Sequence, residues 1–166
     1  DRESQFASFV IDSFKDAKHV IDCGSGNGRD SFFFTSHGKN VVAMDASAVA
    51  ISRCKQIAST CDGKAPHFQS VDFADINKLQ GLATDLARLE GSKVIYARFF
   101  LHAVDEPTEE NFLSFAKAIC DQDTTVCLEF RTDLDSNIKK TTPLHYRRFI
   151  EPVAFLRRCS NAGFRP

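Results

Sequence analysis

Short apolar runs alternate along this chain with stretches of helical periodicity, and several of the runs stop at an acidic residue. Phe6, Phe9, Val10 and Phe14 fall on one face of a helix predicted from Gln5 to Lys15. Lys18 to Cys23 reads as a first strand, and Arg29 to His37 as a crossover helix with Gly38 placed to end it. Asn40 to Met44 is a second strand that ends at Asp45. Ser47 is placed to cap a helix running to about Thr60. His67 to Val71 is a short third strand, ending at Asp72. Leu79, Leu82, Leu86 and Leu89 recur at steps of three and four, the period of an amphipathic helix. Lys93 to Ala97 is a fourth strand, and Pro107 opens a helix to about Cys120. Thr124 to Phe130 is a fifth strand, Thr132 to Leu144 a polar loop, and Pro152 starts a helix that stops near Gly163.

Strands that alternate with helices predict an α/β fold with a doubly wound, mostly parallel sheet. The chain of 166 residues reads as a single domain, 1–166. It does not start with Met and closes on an unfinished crossover, so further C-terminal strands are expected beyond it. The aromatic residues are 16 Phe, 2 Tyr and no Trp, which predicts a Phe-packed core. A net charge of −1 gives no global field for nucleic acid or membrane binding. Lys139, Lys140, Arg147, Arg148, Arg157 and Arg158 nevertheless concentrate positive charge near the end. Six Cys with no C-x-x-C pair give no zinc signal, so no metal is expected. Reduced cysteines and the lack of a signal peptide or a bilayer-length apolar run lead to the expectation of a cytoplasmic protein.

The chemistry concentrates in Asp22-Cys-Gly-Ser-Gly-Asn-Gly28, at the end of the apolar run His19-Val20-Ile21. Alternating glycines between a strand and a helix let a ligand lie against bare backbone, and the helix start offers unpaired N–H groups. This predicts a nucleotide-type pocket. A phosphate loop of the G-x-x-x-x-G-K-[ST] kind is excluded, because no Lys-Ser or Lys-Thr follows. A dinucleotide site of the G-x-G-x-x-G kind needs a third glycine where this chain has Arg29.

With Asp22 counted as part of the pattern, apolar-apolar-Asp22-x-Gly24-x-Gly26-x-Gly28 resembles motif I of class I S-adenosylmethionine-dependent methyltransferases. Gly24-Ser-Gly-Asn-Gly-Arg-Asp30 and His37-Gly-Lys-Asn-Val-Val-Ala-Met-Asp45 look like the small-molecule branch that includes tellurite-resistance methyltransferases. Tyr96-Ala-Arg-Phe-Phe-Leu-His-Ala-Val104 and His145-Tyr-Arg-Arg-Phe149 resemble methyltransferase domains of capsule and surface-polysaccharide clusters. The resemblance implies a Rossmann-like fold and S-adenosyl-L-methionine as cofactor. It implies that Asp22 attracts the cofactor ammonium, that Asp45 accepts from the ribose hydroxyls, and that Asp72-Phe73 meets the adenine. Gly24, Ser25, Gly26, Asn27, Gly28, Ala46 and Ser47 complete the implied cofactor set. No Asn-Pro-Pro-Tyr or Asp-Pro-Pro-Tyr follows the fourth strand, which disfavours an amino-methylating DNA enzyme.

By the family's topology the crevice lies between the first and fourth strands, so Arg98, Phe99 and His102 face the transferable methyl. His102 is the candidate general base, and Arg98 a candidate for the cofactor carboxylate or an anionic substrate. Glu129 and Arg131 alternate with Phe130 and would share a face as substrate contacts. His145, Tyr146, Arg147 and Arg148 suggest a small anionic acceptor, such as an acidic or phosphorylated sugar. A nicotinamide-dependent oxidoreductase and a non-catalytic cofactor-binding domain of a larger protein stay open as alternatives.

Overall fold

The computed structural model describes residues 2–137 and 146–165. Strands β1 (His19–Cys23), β2 (Asn40–Asp45), β3 (His67–Ser70), β4 (Lys93–Arg98) and β5 (Thr124–Glu129) form one parallel sheet in the order β3-β2-β1-β4-β5. The chain winds outward from β1 through β2 to β3, then returns to the other side of β1 with β4. That reversal opens a crevice beyond the carboxyl ends of β1 and β4, where doubly wound sheets bind ligands.

Among the described residues six helices cover the two faces: α1 (Gln5–Ser13), α2 (Arg29–Ser36), α3 (Ala48–Ala58), α4 (Ile76–Ala87), α5 (Glu106–Ile119) and α6 (Pro152–Asn161). Side chains alternate along each strand, so the sheet separates two cores. Val20, Val41, Val94 and Tyr96 pack with Val10 of α1, Phe34 of α2 and Ile51 of α3. Ile21, Met44 and Ile95 pack on the opposite face with Leu79 of α4, Phe112 of α5 and Phe155 of α6. The expected Phe-rich core is present, with Phe34, Phe68, Phe73, Phe112, Phe115 and Phe155 all buried.

Five helices begin with a side-chain cap, from Ser4, Ser47, Asp75, Asp105 and Glu151. Each such cap is worth about 1 kcal/mol. Helix α2 differs. Gly28 starts it in the left-handed region at φ 75°, with no side-chain cap. The helix that faces the crevice is the one without a side-chain cap, although the Arg29 N–H at its start donates to Asn27 Oδ1 at 3.3 Å.

Boundaries shift slightly from those read in the sequence. Helix α1 ends at Ser13 rather than Lys15. Strand β3 stops at Ser70, because the Asp72 carboxylate accepts the Ala74 N–H and turns the chain into α4. The polar stretch after β5 contains a short 3-10 turn, Asp133–Asn137, rather than loop throughout. Thr132 then bridges in parallel to Ile150, which lays residues 146–150 alongside the end of β5 as a strap.

Candidate active site

Two-residue alternation and strand register place the site. Asp22 pairs with Tyr96 across β1 and β4. Asp22 shares its sheet face with Val20, and Arg98 follows Tyr96 on that same face. A cavity of about 100 Å³ at this point is lined by residues that include Asp22, Ser25, Arg29, Asp30, Tyr96 and Arg98. Pockets for whole drug-sized ligands run to roughly 300–1,000 Å³, so this small, partly open cavity suits one end of a larger ligand.

Two buried carboxyls line the cavity, and their surroundings differ. Asp22 accepts the Ser31 hydroxyl at 2.5 Å. Burial, reinforced by the negative charges of Asp30 and Asp45, pushes it up to about 7 against the pull of that bond. Asp30 accepts the Ser4 N–H at 2.9 Å and Arg29 Nε at 3.1 Å on one oxygen. Its other oxygen accepts the Ser4 and Tyr96 hydroxyls, both at 2.7 Å. Burial opposes ionisation of Asp30, yet these bonds hold it below the usual carboxylate range. Burial also pushes the Tyr96 hydroxyl well above its ordinary value.

The three glycines of the loop do different things. A Cβ on Gly24 would lie 2.8 Å from Phe100, and one on Gly28 would lie 2.8 Å from Phe68. Those two glycines admit protein side chains, which corrects the expectation that the whole loop presents bare backbone to a ligand. Gly26 alone of the three has nothing within 4 Å of that position. Its N–H donates to Asp45 Oδ2 at 2.8 Å, and the Ser47 N–H donates to Asp45 Oδ1 at 2.8 Å. The end of β2 is therefore tied to the glycine loop, with one lone pair engaged on each Asp45 oxygen. The Ser25 hydroxyl is buried in the cavity wall with no partner among the described residues.

The remaining members of the implied cofactor set stand farther out. Asn27, Ala46, Ser47 and Asp72 are exposed. The Phe73 ring is turned into the core against Phe100, Phe112 and Phe115, so only its backbone is left for a ligand.

Comparison with known proteins decides the family. The model of a family described as a methyltransferase domain matches residues 14–130. This chain belongs to that methyltransferase family. Solved structures agree in fold. A SAM-dependent methyltransferase from Archaeoglobus fulgidus superposes with a TM-score of 0.72 at 18% identity, over 95% of this chain and 66% of that one. Magnesium protoporphyrin IX methyltransferase from Synechocystis, with bound SAM, gives 0.66 at 18% identity, over 96% and 65%. A TehB-like SAM-dependent methyltransferase from Corynebacterium glutamicum gives 0.67 at 15% identity, over 95% and 72%. The chain thus spans just under two thirds of the first two structures. No curated protein matches it.

In this methyltransferase domain the mouth of the crevice departs from the sequence-based expectations. His102 is 5% exposed and its Nδ1 accepts the Arg131 backbone N–H at 3.1 Å. That bond puts the ring proton on Nε2. Burial, helped by the positive charges of Arg147 and Arg131, lowers His102 to about 4. A ring with its acceptor nitrogen engaged and its other nitrogen protonated does not fit the general-base role expected for it.

Arg148 also leaves the expected substrate set. Its guanidinium donates to the Val104 and Leu101 carbonyls and to the fully buried Glu109 carboxylate. Glu109 accepts from Arg158 Nε of α6 as well, at 2.7 Å. One buried carboxylate on α5 therefore pins both the strap and α6. Glu129 meets Arg98 Nε at 2.6 Å, and Arg131 meets Asp135 at 3.5 Å, so the two residues pair with different partners. Phe99, at φ 55°, lies between the Arg98 and Arg131 guanidiniums, 4.1 and 5.0 Å from its ring centre. Arg147 is half-buried, Tyr146 is exposed, and His145 lies outside the described residues.

Sequence reasoning passed over Ser4, Arg29, Asp30, Tyr96 and Glu109 as functional positions. Arg29 had a visible signal: a charged residue where a dinucleotide site needs glycine. Glu109 had none, because an acidic residue in a helix is ordinarily solvated.

Among the described residues no helix is long and apolar enough to cross a membrane. No group of three or more His, Cys, Asp or Glu is arranged to hold a metal ion among them either.

Proposed function

We propose that this domain binds S-adenosylmethionine in the β1–β4 crevice and directs methyl transfer to a small anionic acceptor. The observation that carries the reading is Asp22: a buried carboxyl with open lone pairs, pushed up to about 7, on the wall of the cavity. A buried acid in that condition is stabilised by a cation placed beside it. The cofactor's ammonium is such a cation.

The other residues fit the same ligand. Arg29 and Arg98 stand on the cavity wall for a carboxylate, and the buried Ser25 hydroxyl faces it for a further hydrogen bond. The open face of Gly26 lets the ligand pass close to the backbone, and each Asp45 oxygen keeps a lone pair for a ribose hydroxyl. When bound, the cofactor supplies an electrophilic methyl group on a cationic sulfur. The protein's part is then to align an acceptor with that methyl and to keep water out, which can supply much of the acceleration.

Arg147 and Arg131 place positive charge beside His102 at the mouth, partly offset by Asp135, and this supports an anionic acceptor. His102 serves here as a neutral packing and hydrogen-bonding group. An acceptor atom that attacks with a lone pair it already holds needs no general base. All six cysteines are unpaired, in keeping with a reducing, cytoplasmic setting. The test is methyl transfer from radiolabelled S-adenosylmethionine to a panel of carboxylated and phosphorylated small molecules, with neutral analogues as controls. Turnover confined to anionic acceptors supports the proposal. Cofactor binding with no turnover on any acceptor would favour a non-catalytic domain.

A further inference from the structure

Asp30 lines the cavity but has nothing left to offer a ligand. An ionised carboxylate has about four lone-pair sites, and those of Asp30 are occupied by the Ser4 N–H, the Ser4 hydroxyl, the Tyr96 hydroxyl and Arg29 Nε. The partners come from three separate parts of the chain: the residue before α1, the first turn of α2, and β4. The Ser4 hydroxyl acts twice, since it also accepts the Ala7 N–H and so caps α1. The family match begins at residue 14, so Ser4 and all of α1 lie outside it.

What Asp30 holds in place is Arg29. Only the Nε of that guanidinium is bound to Asp30, and the side chain is 32% exposed on the cavity wall. Its terminal nitrogens form the donor fork that recognises carboxylates. We propose that Ser4, Asp30 and Tyr96 are positioning residues that aim Arg29 at the carboxylate of the cofactor's amino-acid end, making the N-terminal helix part of the binding site. This rests on the cofactor reading given above.

The test compares two ligands by calorimetric titration of the whole chain. S-adenosylhomocysteine carries the amino-acid end, and 5′-methylthioadenosine keeps the adenosine and the sulfur but lacks that end. Tyr96→Phe removes one bond to Asp30 and leaves the α1 cap intact. Ser4→Ala removes both the cap and a bond to Asp30, and Ser4→Thr restores a hydroxyl. Tyr96→Phe and Ser4→Ala are expected to weaken S-adenosylhomocysteine about fivefold, the scale of one ordinary intramolecular hydrogen bond. Methylthioadenosine affinity is expected to stay within about twofold, and Ser4→Thr to recover most of the loss. Tyr96→Phe made on an Arg29→Ala background should add no further loss, because the hydroxyl acts through Arg29. Equal losses for both ligands, no loss for either, or additive losses in the double variant would overturn the inference. Failure of the wild-type chain to bind either ligand would instead overturn the cofactor reading on which it stands.

Discussion

Asp22 and Asp30 line one cavity, and the second has its lone pairs filled where the first keeps most of its own free. The same pair is split in proton affinity, with Asp22 pushed up to about 7 and Asp30 held below the usual carboxylate range. Pairs of titratable groups driven apart by their surroundings mark sites where charge is handled. Asp30 organises the wall, and Asp22 accepts one hydrogen bond, from Ser31, among the described residues.

Replacing Asp22 with Asn separates binding from folding. Asp22 holds its proton more tightly in the folded chain, about 7 against 3.8, so its ionisation costs stability progressively across that window. Above pH 7 the cost is fully present. Asp22→Asn is expected to stabilise the empty domain at pH 8 by roughly 2 kcal/mol or more. It is also expected to weaken S-adenosylhomocysteine at least about tenfold. Denaturant melts and calorimetry on the same preparation check both.

Ligand binding should follow the same proton. If the ligand's ammonium requires ionised Asp22, affinity is steady above the value of about 7 and falls below it. Between pH 8 and pH 6 the expected loss is about tenfold. His102, lowered to about 4, stays neutral throughout and does not contribute. A flat affinity profile over this range would detach Asp22 from the ligand.

The glycine loop predicts opposite outcomes for neighbouring substitutions. Gly26→Ala meets open space, so its folding cost is about 1–2 kcal/mol from φ 55° alone, while the added methyl obstructs the ligand. Gly28→Ala drives a Cβ to 2.8 Å from Phe68 and should cost a further 1–3 kcal/mol, roughly, in stability. Gly26→Ala is therefore the better folded and the poorer binder. Thermal melts paired with titrations check the contrast.

His102 makes the domain sensitive to acid. Its folded value of about 4 lies below the ordinary 6.5, so its stability contribution is complete above pH 6.5 and is lost as pH falls toward 4. The loss is about 3 kcal/mol when complete. His102→Asn keeps an acceptor near the Arg131 N–H without titrating, and should flatten the decline in stability between pH 6.5 and 4.5.

Much of the frame was legible in the residues themselves. Strong alternation and helix-capping chemistry placed the five strands and six helices of the described residues to within a few residues, and acidic stops at Asp22 and Asp45 marked two strand ends at the crevice. The losses came where a side chain's partner is distant in sequence. Arg148 looked like a free fork in a basic loop, and its capture by Glu109, 39 residues away, leaves no trace in local pattern. His102 looked like a base because burial and the Arg131 N–H are tertiary facts. Asp30 carried no role of its own in the sequence, because Ser4, Tyr96 and Arg29 converge on it only in the fold.

The central claim is that the cavity at Asp22 holds the amino-acid end of an adenosyl cofactor and not a nicotinamide dinucleotide. Calorimetric titration of the chain with S-adenosylhomocysteine and, separately, with NADH at pH 8 tests it most directly. The account predicts saturable one-to-one binding of S-adenosylhomocysteine and no heat of binding from NADH. Binding of NADH without S-adenosylhomocysteine would contradict it.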